Sequence, residues 1–282
     1  MSELSRQPDQ GHENSPVSGH SPRMSQPQAQ PRNAFRRADE PVLRRIVRQA
    51  PAALVDSFVA ATKVLVIVAA LFVVLFGSVL VLFRYVDPPG SMLILTQRLQ
   101  GIDIDRRWVP LSEISPYLIR SVVASEDSNF CRHRGIDFGE LAAAIDKAED
   151  KGDELVRGAS TITMQVAKNL LLSPARNFIR KGVEMLMALG IEVVWPKART
   201  LEIYLNIAEW GPGVFGAEAG AQYHFRKSAA RLTPGEAALM AVALPNPILR
   251  RPGRPGPGLQ RLASVIEARA RRLGDRIACI PR

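Results

Sequence analysis

Residues 121–137 read SVVASEDSNFCRHRGID, and they place two adjacent carboxylates, Glu126 and Asp127, at the end of an apolar, helix-like run of Tyr117, Leu118, Val122 and Val123. A break follows, carrying Phe130, Arg132, His133, Arg134 and Gly135. A carboxylate beside apolar side chains has a raised pKa and becomes a useful base. Glu-Asp pairs are common on solvated helix faces, but here the pair leaves an apolar helix for a loop with Phe130 and His133. At least one of the acids is therefore expected over a cleft. His133 by itself is read as a structural hydrogen-bonding residue.

Outward from this stretch the pattern is helical from Ser112 onward. Asp137-Phe-Gly-Glu140 reads as a capping box opening a helix through Ala148. Ser160 or Thr161 caps a helix through Leu172, stopped by Ser173-Pro174. Further helices are expected over Arg176–Trp195, ending at Pro196, and over Arg199–Ala208, closed by Gly211-Pro212-Gly213. Thr233-Pro-Gly-Glu236 is a second capping box, with Pro at the first helical position, for a helix to Leu244. After the Pro/Gly-rich loop 251–258 a last helix runs from Leu259 to Leu273 and stops at Gly274. Upstream, Met92 to Trp108 alternates in places (Leu93, Leu95, then Ile102, Ile104), which predicts a short strand or two. The fold class is mainly α.

Further upstream, Val64 to Phe83 is VLVIVAALFVVLFGSVLVLF, an uncharged run bounded by Lys63 and Arg84. At about 1.5 Å per residue it spans the roughly 30 Å hydrocarbon core of a bilayer. It is too long for a signal-peptide core, begins beyond residue 60, and lacks a small-residue cleavage site after it. It reads as one permanent transmembrane helix. Arg44, Arg45, Arg48 and Lys63 precede it, and only Arg84 and Arg98 follow closely, so the positive-inside rule places residues 1–63 in the cytoplasm and 84–282 outside. Residues 1–40 are rich in Ser, Pro, Gln, Asn and Arg, the composition of a disordered tail. PVLRRIVRQ within 41–63 reads as a juxtamembrane linker or a short surface helix.

The chain has 282 residues with 37 Lys+Arg against 27 Asp+Glu, a net charge of +10. That balance favours anionic partners: nucleic acid, acidic lipid or a phosphorylated substrate. With no zinc-finger spacing, Walker loop or basic block interleaved with aromatics, nucleic acid is the weakest of the three. Cys131 and Cys279 make no disulfide scaffold; one bridge and two thiols both stay open.

Two other clusters could carry chemistry. Arg157-Gly-Ala-Ser-Thr-Ile-Thr-Met-Gln165 puts three hydroxyls and an amide at a helix start, a site for an anion or a sugar, or simply a well-capped helix. Gln165, Lys168 and Asn169 then share one face, with Ile162, Val166 and Leu170 on another. Arg176, Arg180 and Glu184 stand at i, i+4 and i+8, with Lys181 alongside: either a solvated ion-pair face or, with Lys168, a set of cations for a diphosphate. Glu184 would orient these cations or help to bind a divalent ion (Mg or Mn). No organic cofactor is expected.

These residues together resemble the peptidoglycan glycosyltransferases of glycosyltransferase family 51, and in particular their membrane-anchored monofunctional members. Glu126-Asp127-x-x-Phe130-x-x-His133-x-Gly135 matches the first family signature. Gly158-Ala-Ser-Thr-Ile-Thr-Met164-Gln165 is similar to the second, with Met164 where many members have glutamine. Arg180-Lys181-x-x-Glu184 matches the third, Lys197-x-x-Thr-Leu-Glu-Ile-Tyr204-Leu205-Asn206 the fourth, and Arg261-x-x-x-Val265-Ile266 resembles a fifth. The similarity covers roughly 105–270. It implies a lysozyme-like glycosyltransferase domain with a small membrane-proximal jaw lobe. It also implies polymerisation of lipid II, a disaccharide-pentapeptide on undecaprenyl diphosphate, into β-1,4-linked glycan with inversion.

By position, the resemblance makes Glu126 the general base and Glu184 the second important acid. Lys168, Arg176 and Arg180 would contact the diphosphate, Ser160, Thr161 and Gln165 would line the donor site, and Asn206 joins the substrate-binding set. It places the enzyme in the inner membrane, catalytic domain in the periplasm, acting on lipid II and the growing strand beside other cell-wall synthesis or division proteins.

Two alternatives differ in class. A lysozyme-like muramidase or lytic transglycosylase must protonate a sugar oxygen and would not need the Lys168, Arg176, Arg180 set. A non-catalytic membrane-anchored scaffold would need neither Glu126 nor Glu184. With no Lys-Ser/Thr-Gly triplet, transpeptidase activity is not expected on this chain.

Overall fold

The computed structural model describes residues 40–151, 159–172 and 178–280. The tail expected over 1–40 therefore lies almost wholly outside the described residues, as do Arg157, Gly158, the Ser173-Pro174 stop and Arg176. The chain divides after Val66 into two units. Of the first, the described residues belong to α1 (Glu40–Tyr85), a single helix that begins well before the expected span at Val64. Leu, Ala and Arg favour helix, and Pro41 stands in the first turn, where a missing N–H is harmless. Its Leu54–Tyr85 part, 32 residues, is long and apolar enough to cross a membrane. Leu54, Phe58, Val64 and Leu65 are exposed, as a lipid-facing surface would be.

In the second unit the end of α1 is tied down by polar groups. Trp195 Nε1 donates to the Leu80 carbonyl at 2.7 Å, Arg84 donates to the Val194 carbonyl at 2.6 Å, and Arg199 Nε donates to the Phe83 carbonyl at 2.9 Å. The stretch after it departs from expectation. Met92–Leu99 is a helix, α2, not a strand. Ser91 caps it by accepting from the Ile94 N–H at 3.2 Å, and Met92, Leu95, Thr96 and Leu99 recur at helical spacing, so the cap outweighs the short alternation.

The one strand of this region is β1 (Asp105–Arg106). A 3₁₀ turn at Leu111–Glu113 precedes α3 (Pro116–Glu126), and α4 (Phe138–Lys151), α5 (Ile162–Leu171), α6 (Phe178–Val194) and α7 (Lys197–Ile207) follow. The expected Gly-Pro-Gly closure is the turn of a hairpin, β2 (Glu209–Gly211) and β3 (Val214–Phe215). The sheet order is β1-β3-β2, with β1 parallel and β2 antiparallel to β3. Gly213, at φ 71°, lets this turn close, because a Cβ there would meet the Asp103 carbonyl at 2.2 Å. Next come α8 (Ala217–Phe225), a 3₁₀ turn at Ala229–Arg231, α9 (Pro234–Ala243), α10 (Pro257–Arg271) and a final 3₁₀ turn at Gly274–Ile277.

The core is a bundle of α3, α5, α7, α9 and α10. Leu118, Val122 and Val123 of α3, Ile162, Val166 and Leu170 of α5, and Leu201, Tyr204 and Leu205 of α7 share one apolar cluster. Each such large side chain contributes about 1.5–3 kcal/mol by leaving water. Ala237, Ala238 and Ala241 keep α9 slim, so that α3 and α10 both pack closely on it. Its capping box is complete, with Thr233 and Glu236 each bonded to the other's backbone N–H. A disulfide joins Cys131, in the loop after α3, to Cys279 near the C-terminus.

Candidate active site

Helix α3 ends at Glu126 because Asp127 turns the chain away. The Asp127 carboxylate is buried, accepts from the Ile162 N–H at 3.0 Å, and sits 2.9 and 3.0 Å from His133 Nε2. It thus satisfies a free N–H at the start of α5 and ties α3 to it. His133 has the structural role expected of it. Gly135, at φ 82°, closes the loop against α6, where a Cβ would lie 2.9 Å from the Ala188 carbonyl. The helix cap is Thr161: its hydroxyl donates to the Gly135 carbonyl at 2.6 Å and accepts from the Met164 N–H at 3.1 Å.

Glu126 is left with a different environment. Gln165 Nε2 donates to its Oε2 at 3.0 Å and Ser125 Oγ to its Oε1 at 3.2 Å. Gln165 is itself held by Tyr204, whose buried hydroxyl donates to its Oε1 at 3.1 Å. Burial raises the Glu126 pKa, and neighbouring Asp127 adds to this, while the two hydrogen bonds and the charge of Arg250 pull the other way. The Tyr204 phenol is pushed well above its ordinary value by burial and by the two carboxylates, so it stays a donor. A cavity of about 560 Å³ opens over Glu126, lined also by Ser128, Asn129, Ser160 and Thr161, and on another side by Arg269, Arg272 and Arg276.

Glu184 is buried on α6 and holds both flanking cations, Arg180 Nη1 at 3.0 Å from Oε2 and Lys181 Nζ at 2.6 Å from Oε1. Lys181 also donates to Ser160 Oγ at 2.9 Å, which carries the α6 cations to the edge of the cleft. Lys168 is exposed on α5. Both oxygens of Glu184 are occupied by cations, and no group of three His, Cys, Asp or Glu suited to a metal exists among the described residues. Among the described residues the donor set therefore does not fit a protein-held divalent ion.

One expectation needs correction. Asn206, expected at the substrate, is fully buried: its Oδ1 accepts from the Val109 N–H at 2.9 Å and its Nδ2 donates to the carbonyls of Val109 and Glu202. It clamps the chain before α3 to α7. Met164, where many family members have glutamine, is also fully buried and packs against Ile136 and Ala188. Reading the sequence alone missed Tyr204 as the support of Gln165, Lys181 as the link to Ser160, and Arg250 and the α10 arginines near Glu126. The (i, i+3) spacing of Lys181 and Glu184 was the one visible signal among these.

Comparison with known proteins shows the family. The family model described as Transglycosylase matches residues 94–271. The chain is 51% identical over 192 residues to the biosynthetic peptidoglycan transglycosylase of Agrobacterium fabrum, covering 68% of this chain and 84% of that protein. It is 48% identical over 218 residues to the protein of the same name from Rhizobium etli, covering 76% and 92%. For that of Rhodospirillum centenum the figures are 53% over 188 residues, 66% and 80%. The chain belongs to the transglycosylase family.

Proposed function

We propose that this enzyme is a monofunctional peptidoglycan glycosyltransferase that polymerises lipid II into β-1,4-linked glycan with inversion. The observation that carries the reading is the contrast between a desolvated Glu126, held at the cleft by Gln165, and Glu184, tied up by Arg180 and Lys181. Glu126 takes the proton from the acceptor 4-hydroxyl as that oxygen attacks the anomeric carbon of the growing strand. The bond from that carbon to the diphosphate breaks, and the diphosphate leaves with its charge held by Lys168, Arg180 and Lys181. A diphosphate is already a good leaving group, so cations suffice where a hydrolase would need an acid. Asp127 is committed to His133 and α5 and Glu184 to its cations, which leaves neither placed as the second free carboxyl of a muramidase.

The setting follows from the same chemistry. Helix α1 is the anchor in the inner membrane, with the N-terminus cytoplasmic and the catalytic domain periplasmic. The Cys131–Cys279 bridge supports an oxidising compartment. Ile179, Leu186 and Val193, exposed at seven-residue intervals on α6, supply an apolar stripe for a lobe resting on the bilayer. The test is a lipid II polymerisation assay on the detergent-solubilised protein, wild type beside Glu126→Gln, with products separated by size. Glycan strands are expected from the wild type, with a loss of about 10²–10⁴-fold in the variant. The acid limb of the wild-type rate should lie above the ordinary carboxylate range, since the base must be ionised to act. Cleavage of preformed peptidoglycan without polymerisation would hand the site to the muramidase reading.

A further inference from the structure

The cleft over Glu126 has a wall that the proposed reaction leaves without a role. Arg269 and Arg272 at the end of α10, and Arg276 on the turn after it, line the same cavity as Glu126. Arg269 and Arg272 stand at i and i+3, and the turn after α10 brings Arg276 to the same cavity. None of the three side chains has an ion-pair or hydrogen-bond partner among the described residues, whereas their neighbour Arg271 is paired with Glu267 at 2.6 Å. The acids on the facing rim do not neutralise them. Asp137 accepts from the Glu140 N–H and from Asn129, and Glu140 forms no ion pair with them.

Three unpaired, exposed guanidiniums on one cavity give it a positive wall suited to an anionic ligand. The wall is also built, not trailing. Leu273 and Ile280 are buried in the core, and the Cys131–Cys279 bridge fastens the turn to the loop that follows Glu126. The match to the family model ends at residue 271, so Arg272 and Arg276 lie beyond it.

We propose that Arg269, Arg272 and Arg276 form a carboxylate-binding subsite that takes the peptide carried by the sugar substrate. This rests on the glycosyltransferase reading. A disaccharide-peptide diphosphate brings two kinds of anion to the cleft. The diphosphate has its own cations at Lys168, Arg180 and Lys181, and the peptide's carboxylates are the anions still to be matched. The planar guanidinium fork suits a carboxylate in two-point contact.

The test uses the full-length protein in detergent, with Arg272→Gln/Arg276→Gln against wild type and Arg271→Gln as the outward-facing control. Binding of a soluble N-acetylmuramoyl pentapeptide, which has neither diphosphate nor lipid, is measured by calorimetry beside the same compound with its carboxylates amidated. The wild type should bind the free acid about tenfold or more tighter than the amide, and the double variant should lose that preference. In polymerisation, the double variant should raise KM for lipid II with free peptide carboxylates and not for the amidated substrate. An equal rise for both substrates would assign the wall to the diphosphate and overturn the proposal, as would identical probe binding by all three proteins. Absence of polymer from the wild type would defeat the glycosyltransferase reading, while the calorimetry would still report on the wall.

Discussion

The end of α3 and the second turn of α6 each hold a glutamate turned away from bulk water, and the two are treated in opposite ways. Glu126 meets neutral donors, the Gln165 amide and the Ser125 hydroxyl, and its charge is further disfavoured by burial. Glu184 meets two full positive charges at 3.0 and 2.6 Å. Burial raises the Glu126 pKa, so this carboxylate keeps a drive to take a proton, while Glu184 is engaged on both oxygens by its two cations. The same residue type thus supplies the proposed base in one place and an organiser of cations in the other. Side-chain partners, more than distance to the cleft, set which is which.

The largest expected effect follows from removing the cations on one side of this contrast. Arg180→Ala alone leaves Glu184 its Lys181 partner, and Lys181→Ala leaves it Arg180. The double variant leaves a buried carboxylate with neither ion-pair partner, at a cost of about 3–5 kcal/mol. Chemical denaturation of the two singles and the double should show a loss well beyond the sum of the singles. Simple additivity would mean that Glu184 is solvated on removal of its partners and that the contrast is weaker than its geometry suggests.

A smaller effect is expected at the support of Glu126. Tyr204→Phe removes the donor to Gln165 Oε1 in a site where the phenol is buried, at about 1–3 kcal/mol for the acceptor left unpaired. Gln165 would then hold Glu126 less firmly, and its hydrogen bond is one of the contacts that lower the Glu126 pKa. The acid limb of the rate profile should therefore move to higher pH in this variant. A stability loss with an unmoved limb would confine Tyr204 to packing.

How much of this was legible in the sequence depends on the range of the forces involved. Helices with local punctuation were readable: Thr161 and the Thr233–Glu236 box mark starts that the structure keeps, and Pro196 marks the stop after α6. Helix α2 was not, because Leu93, Ile94 and Leu95 fit either period and only the Ser91 cap separates them. Helix α8 was missed because AEAGAQYHF carries no apolar stripe, being fixed instead by close approach of Gly220 to Trp210. At the site, Glu126 was legible from its place at a helix end. Asn206 was misplaced because a polar residue's burial shows only once Val109 is folded onto it. The α10 arginines were out of reach because a bridge spanning 148 residues fixes the segment that follows them.

The smallest effect is the one that most directly separates the two glutamates, and it lies in stability against pH. The folded-state pKa of Glu126 is raised, chiefly by burial. A carboxyl raised on folding contributes stability that is fully present below its unfolded pKa and is lost as pH rises through the folded value. At neutral pH the ionised Glu126 is thus a strain on the fold, and Glu126→Gln, which keeps the shape and removes the charge, should melt higher than wild type. Below the ordinary carboxylate range Glu126 is protonated in both states, and the advantage should vanish. Glu184→Gln should go the other way at neutral pH, since it takes the counter-charge from Arg180 and Lys181. Melting curves of the three proteins from acid to neutral pH therefore give opposite signs for two chemically identical substitutions. If Glu126→Gln instead melted lower at neutral pH, its carboxylate would be net stabilised where it stands, by Gln165, Ser125 and Arg250 together. The site would then have to recruit its base from substrate binding, not from the fold.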